Sequence, residues 1–259
     1  MAEKAWAESV AEEIVGESAA LNQVLASAQR LAARDAAVLI VGERGSGKEL
    51  FARAIHRMSP RRNNSFVQVN CLTTTRDQLE RQLFGYEKGA FDGAISDKVG
   101  GLEMADKGTL FLNEVAHFPL DLQPKLVRLL KRGEFERLGS TSIIRVNVRL
   151  MASTGCRPEK IADDRLQQAL HCLIDLFDKS SIQIPPLRER REDIPLLAWY
   201  FMRKFARRMN KDIETIAPEI INALQNHDWP GNVAQLENFI HHSVVLTDGC
   251  KLNAPLDEL

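Results

Sequence analysis

Apolar and polar positions along this chain change period several times, and each change marks an element. From Ser18 onward, Leu21, Val24, Leu25, Ala28 and Leu31 recur at three- and four-residue spacing, which predicts an amphipathic helix. Continuous apolar runs follow at Ala37 to Val41, Phe66 to Val69, Thr109 to Leu112 and Val146 to Met151, with helical stretches between them. Strands that alternate with helices build a parallel sheet covered by helices on both faces. Ligands of such sheets bind beyond the carboxyl ends of the strands. After Ile184-Pro185-Pro186-Leu187 the strand pattern stops. Three helical segments follow, near 191–210, 218–226 and 232–246, punctuated by Trp229-Pro230-Gly231-Asn232. The expected organisation is therefore an α/β domain over residues 1–187 and a small helical domain over residues 188–259.

The run ending at Val41 leads into Gly42-Glu43-Arg44-Gly45-Ser46-Gly47-Lys48-Glu49, a P-loop between strand and helix. The glycines let the backbone curl so that several N–H groups meet phosphate oxygens. The next helix adds its positive N-terminal end, and Lys48 reaches the outer phosphates. The expected ligand is ATP or ADP. Where a Walker A motif usually ends in a Ser or Thr hydroxyl that holds Mg²⁺, this chain has Glu49. Gly108-Thr109-Leu110-Phe111-Leu112-Asn113-Glu114 has the form of a Walker B, an apolar strand ending in two polar residues. In P-loop ATPases the first holds Mg²⁺ and the second orients the attacking water. Glu114 suits the second task. Asn113 brings no negative charge to the first, so it serves a cation only through a bound water, and Mg²⁺ support is weakened.

Composition narrows the partners. Against 34 Lys and Arg stand 35 Asp and Glu, a formal charge of −1 in 259 residues, so no net basicity advertises nucleic acid. DNA is expected only through a domain outside this chain. The apolar runs are far shorter than the roughly 20 residues of a membrane span, and the Ala/Glu-rich start lacks a signal-peptide pattern. These features predict a cytoplasmic protein without membrane contact. Cys71, Cys156, Cys172 and Cys250 show no metal or CxxC spacing and read as free, buried thiols. His241-His242 reads as helix surface.

Taken in order, Ile14-Val15-Gly16, GERGSGKE from Gly42, Phe66-Val67-Gln68-Val69-Asn70-Cys71, Leu83 to Phe91, GTLFLNE from Gly108, Pro185 to Ile194 and WPGN from Trp229 resemble the AAA+ central domain of bacterial enhancer-binding proteins, the sigma-54-dependent transcription activators, over nearly the whole chain. The phage-shock activator is similar in layout. The resemblance implies a P-loop AAA+ fold with a helical lid, a homo-oligomer in the form of a hexameric ring with nucleotide between subunits, and RNA polymerase holoenzyme as partner. It implies Ile14 and Val15 at the adenine, a habitual Glu at position 49, and Asn70 as the residue that restrains Glu114. A mobile loop, Gly89-Ala90-Phe91-Asp92-Gly93-Ala94, would project an apolar tip toward sigma-54.

Departures from the family pattern fall on the working parts. Asp92 replaces the threonine of Gly-Ala-Phe-Thr-Gly-Ala, Asn113 the Walker B aspartate, Gly155 the sensor amide and Ala234 the sensor arginine. The two arginines that reach a neighbouring subunit's site fall on Leu170 and Leu176, although Arg165 would stand in for one under a shifted alignment. Loss of an arginine finger costs on the order of 10³ to 10⁵ in phosphoryl-transfer rate. Three functions compete: a nucleotide-binding transcription regulator with little or no hydrolysis and no productive sigma-54 contact, an active ATPase that remodels sigma-54 polymerase, and a regulator responsive to cyclic di-GMP. Arg53 lies where one relative uses an arginine for that messenger, but Ala11 to Ile14 lack the basic, aromatic segment those relatives use.

Overall fold

The structure is a computed structural model that describes residues 14–155, 177 and 180–258. Leu170, Leu176, Arg165, Cys156 and Cys172 lie outside these residues. Contacts divide the chain into two compact units: Ser27–Val41 with Phe51–Gln183, and the residues up to Ala26 with Gly42–Leu50 and Ile184–Leu259.

The first unit holds a five-stranded sheet built from β1 (Val38–Val41), β2 (Phe66–Asn70), β3 (Thr109–Asn113), β6 (Arg149–Thr154) and β7 (Ser181–Gln183), in the order β2-β3-β6-β1-β7. All its pairings are parallel. All four residues of β1 and all six of β6 are buried, as expected where helices cover both faces. A two-stranded antiparallel ribbon, β4 (Glu134–Glu136) with β5 (Ile143–Arg145), stands apart from the sheet.

Helix α1 (Ala19–Ala32) precedes β1, and α2 (Lys48–Arg57) follows the loop after it. Helix α3 (Arg76–Phe84) opens with a capping box, because Thr75 accepts from the Gln78 backbone while the Gln78 side chain accepts from Thr75 N–H. A single turn, α4 (Gly101–Met104), and α5 (Gln123–Arg132) complete this layer. Leu79, Leu83, Phe84, Leu102, Leu126 and Leu129 join Leu110, Leu112 and Leu150 in one core.

In the second unit α6 (Asp193–Met209), α7 (Pro218–Asn226) and α8 (Asn232–Val245) match the three expected helices within two residues at each end. Ile194, Leu197, Ala198, Phe201, Met202, Phe205 and Ala206 are the buried stripe of α6, at the three- and four-residue steps of an amphipathic helix. They close on Trp229, Leu236 and Ile240. Trp229 is fully buried, with its indole N–H satisfied by the Leu224 carbonyl at 2.7 Å.

Several expectations need correction. The fourth strand begins at Arg149 rather than Val146 and continues to Thr154. Asn147 is held in a loop by Lys107 N–H, the Asp106 carboxylate and Arg61, while pairing with β1 carries the strand through polar Ser153 and Thr154. Strands β4, β5 and β7 were not anticipated from the pattern. Cys71 is buried as expected, but Cys250 is exposed, in the turn beyond α8. No helix of the described residues is long and apolar enough to cross a membrane.

Candidate functional site

Loop 42–47 links β1 to α2, with Gly45 and Gly47 at φ +76° and +102°. A Cβ on Gly45 would fall 2.2 Å from the Gly231 carbonyl oxygen, so both its conformation and its neighbour demand glycine. Lys48, at the start of α2, is 7 % exposed and donates to the carbonyls of Gly42 at 2.8 Å and Glu43 at 3.2 Å. Among the described residues, the buried side-chain polar atoms without a partner are Ser46 Oγ and Arg190 Nε. An orphaned hydroxyl beside positive-φ glycines, a buried ammonium and a helix start fits a polyphosphate.

The C-terminal helices brace the same loop. Arg188 grips Glu43 with two bonds of 2.7 and 2.5 Å. Asn232 donates to the Glu43 carboxylate at 3.1 Å and to the Arg44 carbonyl at 3.0 Å, while its Oδ1 accepts from Leu187 N–H at 2.8 Å. Arg188 first, and Asn232 after it, hold the Glu43 carboxyl down to about 2. Ala234 N–H donates to the Gly45 carbonyl at 3.2 Å, and Arg190 to that of Ser46 at 3.2 Å. Ala234, read from sequence as a missing arginine, thus touches the loop through its backbone.

Ile14 and Val15 are half-buried, Val15 against the core that holds Trp229. The turn after them is pinned by Asp193, fully buried, which accepts from Glu17 N–H at 2.7 Å, Ser18 N–H at 2.8 Å and the Ser18 hydroxyl at 2.7 Å. Sequence reasoning missed Asp193, Arg190 and the loop contacts of Asn232. The motifs containing them were visible, but no periodicity announces a bond across more than 140 residues.

At the carboxyl edge of the sheet, Asn113 Oδ1 accepts from the Ser153 hydroxyl at 2.6 Å, and Ser153 Oγ accepts from Glu114 N–H at 3.2 Å. Glu114 sits in the left-handed region at φ 56°, and its carboxylate accepts from Gly155 N–H at 3.1 Å. Gly155, where the resemblance implies a sensor amide, contributes through its backbone N–H. Asn70 lies beside Asn113 in the β2–β3 register, and its Oδ1 accepts from Leu72 N–H at 2.9 Å and Thr73 N–H at 3.3 Å. It caps its own turn, while Gly155 N–H gives the Glu114 carboxylate a hydrogen bond. Burial, with the Glu114 charge second, pushes the Cys71 thiol up to about 12, so it is inert. Arg53 donates to Gln68 at 3.0 Å and lies 5.1 Å over the Phe66 ring.

Segment 89–94 is a closed turn, with Gly89 N–H bonded to the Ala94 carbonyl at 2.9 Å. Its apolar tip does not project as expected. Phe91 is half-buried, with the Arg81 guanidinium 3.6 Å from its ring centroid and Tyr86 edge-on at 4.8 Å. Ala94 is buried, while Asp92 is exposed.

The family model described as Sigma-54 interaction domain matches residues 14–178, and that described as AAA+ ATPase lid domain matches residues 188–255. The formate hydrogenlyase transcriptional activator FhlA of Escherichia coli (strain K12) is 48% identical over 248 residues, 95% of this chain and 35% of that protein. The chain thus spans about a third of that relative. NtrX from Brucella abortus, solved in complex with ATP, is 37% identical at a TM-score of 0.82, over 95% of this chain and 54% of that one. Its complex with ADP gives 38% and 0.81, over 95% and 55%. With its parallel sheet and its matches to both family models, the chain belongs to the sigma-54 interaction domain family and carries an AAA+ ATPase lid domain.

Proposed function

We propose that this chain is the nucleotide-binding module of a bacterial transcription regulator, holding ATP or ADP on loop 42–49, hydrolysing it slowly and making no productive contact with sigma-54. Its organisation is an α/β domain over 1–187 and a lid over 188–259, and the two family matches, 14–178 and 188–255, support that division. Gly42, Gly45, Ser46, Gly47 and Lys48 form the phosphate cradle, with Glu49 on the first turn of α2. Ile14 and Val15 line the adenine. Binding of ATP and ADP by NtrX supports the ligand.

The observation that carries the reading is that the chain keeps the loop motif of a phosphate cradle and has an altered Walker B. Buried Lys48 and the unpartnered Ser46 hydroxyl support the cradle, whereas the residue before Glu114 is an amide engaged by Ser153 at 2.6 Å. An amide offers a magnesium ion no charge, so Mg²⁺ is held weakly, and the charge that phosphoryl transfer draws from that ion is reduced. Assembly into a ring and contact with RNA polymerase belong to the same proposal, with nucleotide state rather than a power stroke as the signal.

A nucleotide titration beside a steady-state hydrolysis assay tests this. The unmodified chain should bind ADP and ATP yet turn over far below the enzyme median of about 10 s⁻¹. Lys48→Ala should abolish binding while leaving the fold intact, and unchanged affinity in that variant would sink the assignment. A working motor is the second reading, favoured by the 48% identity to a named activator. Turnover near that median would establish it instead.

A further inference from the structure

Three consecutive carbonyls of loop 42–47 are held by residues of the lid, and loop and lid belong to one compact unit. Asn232 Nδ2 donates to the Arg44 carbonyl at 3.0 Å, Ala234 N–H to that of Gly45 at 3.2 Å and Arg190 Nη2 to that of Ser46 at 3.2 Å. A trans peptide is planar, and its N–H points opposite to its C=O. Fixing the Arg44 and Ser46 carbonyls therefore aims the N–H groups of Gly45 and Gly47 away from Asn232 and Arg190. Neither N–H has a hydrogen-bond partner among the described residues. A Cβ on Gly45 would strike the Gly231 carbonyl, whereas one on Gly47 would meet nothing within 4 Å. The loop is closed at Gly45 and open at Gly47. Arg190 is 3 % exposed, its Nε has no partner, and it forms no ion pair among the described residues. The carboxylate of Asp193, three residues on, is already engaged by Glu17 and Ser18. A buried guanidinium left in this state is costly unless an anion compensates it.

We propose that Arg190 is a positioning residue for the nucleotide phosphates, acting through the Ser46–Gly47 peptide to aim and strengthen the Gly47 N–H as a phosphate donor. The inference rests on the nucleotide site proposed above. A cation that donates to a carbonyl draws electron density toward the oxygen, and the N–H at the other end of the same peptide becomes a better donor. Hydrogen bonds linked in this way reinforce one another where the dielectric is low. A phosphate oxygen accepting from Gly47 N–H completes the chain and places an anion where it offsets the buried guanidinium. The lid thereby brings a positive charge to the loop although position 234 carries none, and Asn232 does for Gly45 N–H, by hydrogen bonding alone, what Arg190 does for Gly47 N–H with charge added.

Titration of the full chain with ADP, with urea denaturation of each variant beside it, tests the proposal. Arg190→Met removes donor and charge together and should weaken ADP at least about tenfold in protein that is still folded. Arg190→Lys keeps a donor and the charge, and should bind within about threefold of the unmodified chain. A dissociation constant measured on folded protein does not move with stability alone. A residue that only braces the fold would therefore lower the denaturation midpoint of Arg190→Met and leave its affinity unchanged. That result, or equal weakening by Arg190→Lys and Arg190→Met, overturns the proposal while the nucleotide site stands. Should Arg190→Met fail to fold, Arg190→Gln takes its place, since it keeps a donor without charge. It should bind ADP at least about fivefold more weakly than Arg190→Lys, and equal affinities overturn the proposal. Absence of ADP binding by the unmodified chain overturns both the proposal and the site.

Discussion

Asn232 shows how a single side chain organises a loop 188 positions away in sequence. It occupies the left-handed region at φ 54°, a conformation that costs a non-glycine residue about 1 to 3 kcal/mol when retained in a fold. Its amide offsets that cost by serving Glu43, Arg44 and Leu187 together. Asn232→Ala removes all three bonds, strands the N–H of fully buried Leu187, and keeps the backbone strain. The expected loss is about 2 to 4 kcal/mol of unfolding free energy, read from urea denaturation with circular dichroism. A loss under about 1 kcal/mol would mean that other contacts carry the loop. The turn at 42–47 was legible in the sequence because a motif of local residues specifies its positive-φ glycines. Asp193 and Arg190 were not legible as functional neighbours, because their bonds to Ser18 and Ser46 arise only when the chain closes.

Elements follow the same division between local and long-range information. Strand β1 was legible because four consecutive apolar residues are buried on both faces. Strand β7 was not, since Ile182 is its one buried residue and pairing with β1 alone defines it. Loop 42–47 joins both kinds, a local motif fixed by remote partners. The Arg188 guanidinium, aided by Asn232, holds the Glu43 carboxyl at about 2 against its ordinary 4.5. A depressed carboxyl adds stability that is fully present above its unfolded value and lost as pH falls through its folded value. Arg188→Leu should therefore be less stable than the unmodified protein by a constant amount above pH 4.5, and the gap should close between 4.5 and about 2. Both partners are more than a third exposed, so the gap should be small and should shrink with salt. Denaturation series across this pH range check it; a gap that widens on acidification would contradict the assignment.

For the whole molecule, the question is what nucleotide binding communicates and to whom. The resemblance implies that subunits meet through arginines now read as Leu170 and Leu176, and that sigma-54 is met through Gly89 to Ala94. That loop presents a carboxylate at Asp92, while Phe91 is withdrawn under Arg81. Burying an ionised carboxylate against a partner costs several kcal/mol unless a cation meets it. An apolar contact that needs Phe91 must first break a cation–π pair worth about 0.5 to 2 kcal/mol. Both costs oppose engagement, so the unmodified chain should not be captured by sigma-54 in a pull-down with an ATP transition-state analogue. Asp92→Thr removes the larger cost and leaves the nucleotide site untouched. Capture gained only in that variant assigns the block to the loop, and capture of neither assigns it to the nucleotide site. Stable, nucleotide-dependent capture of the unmodified chain would overturn the prediction and make this domain a working partner of sigma-54 polymerase.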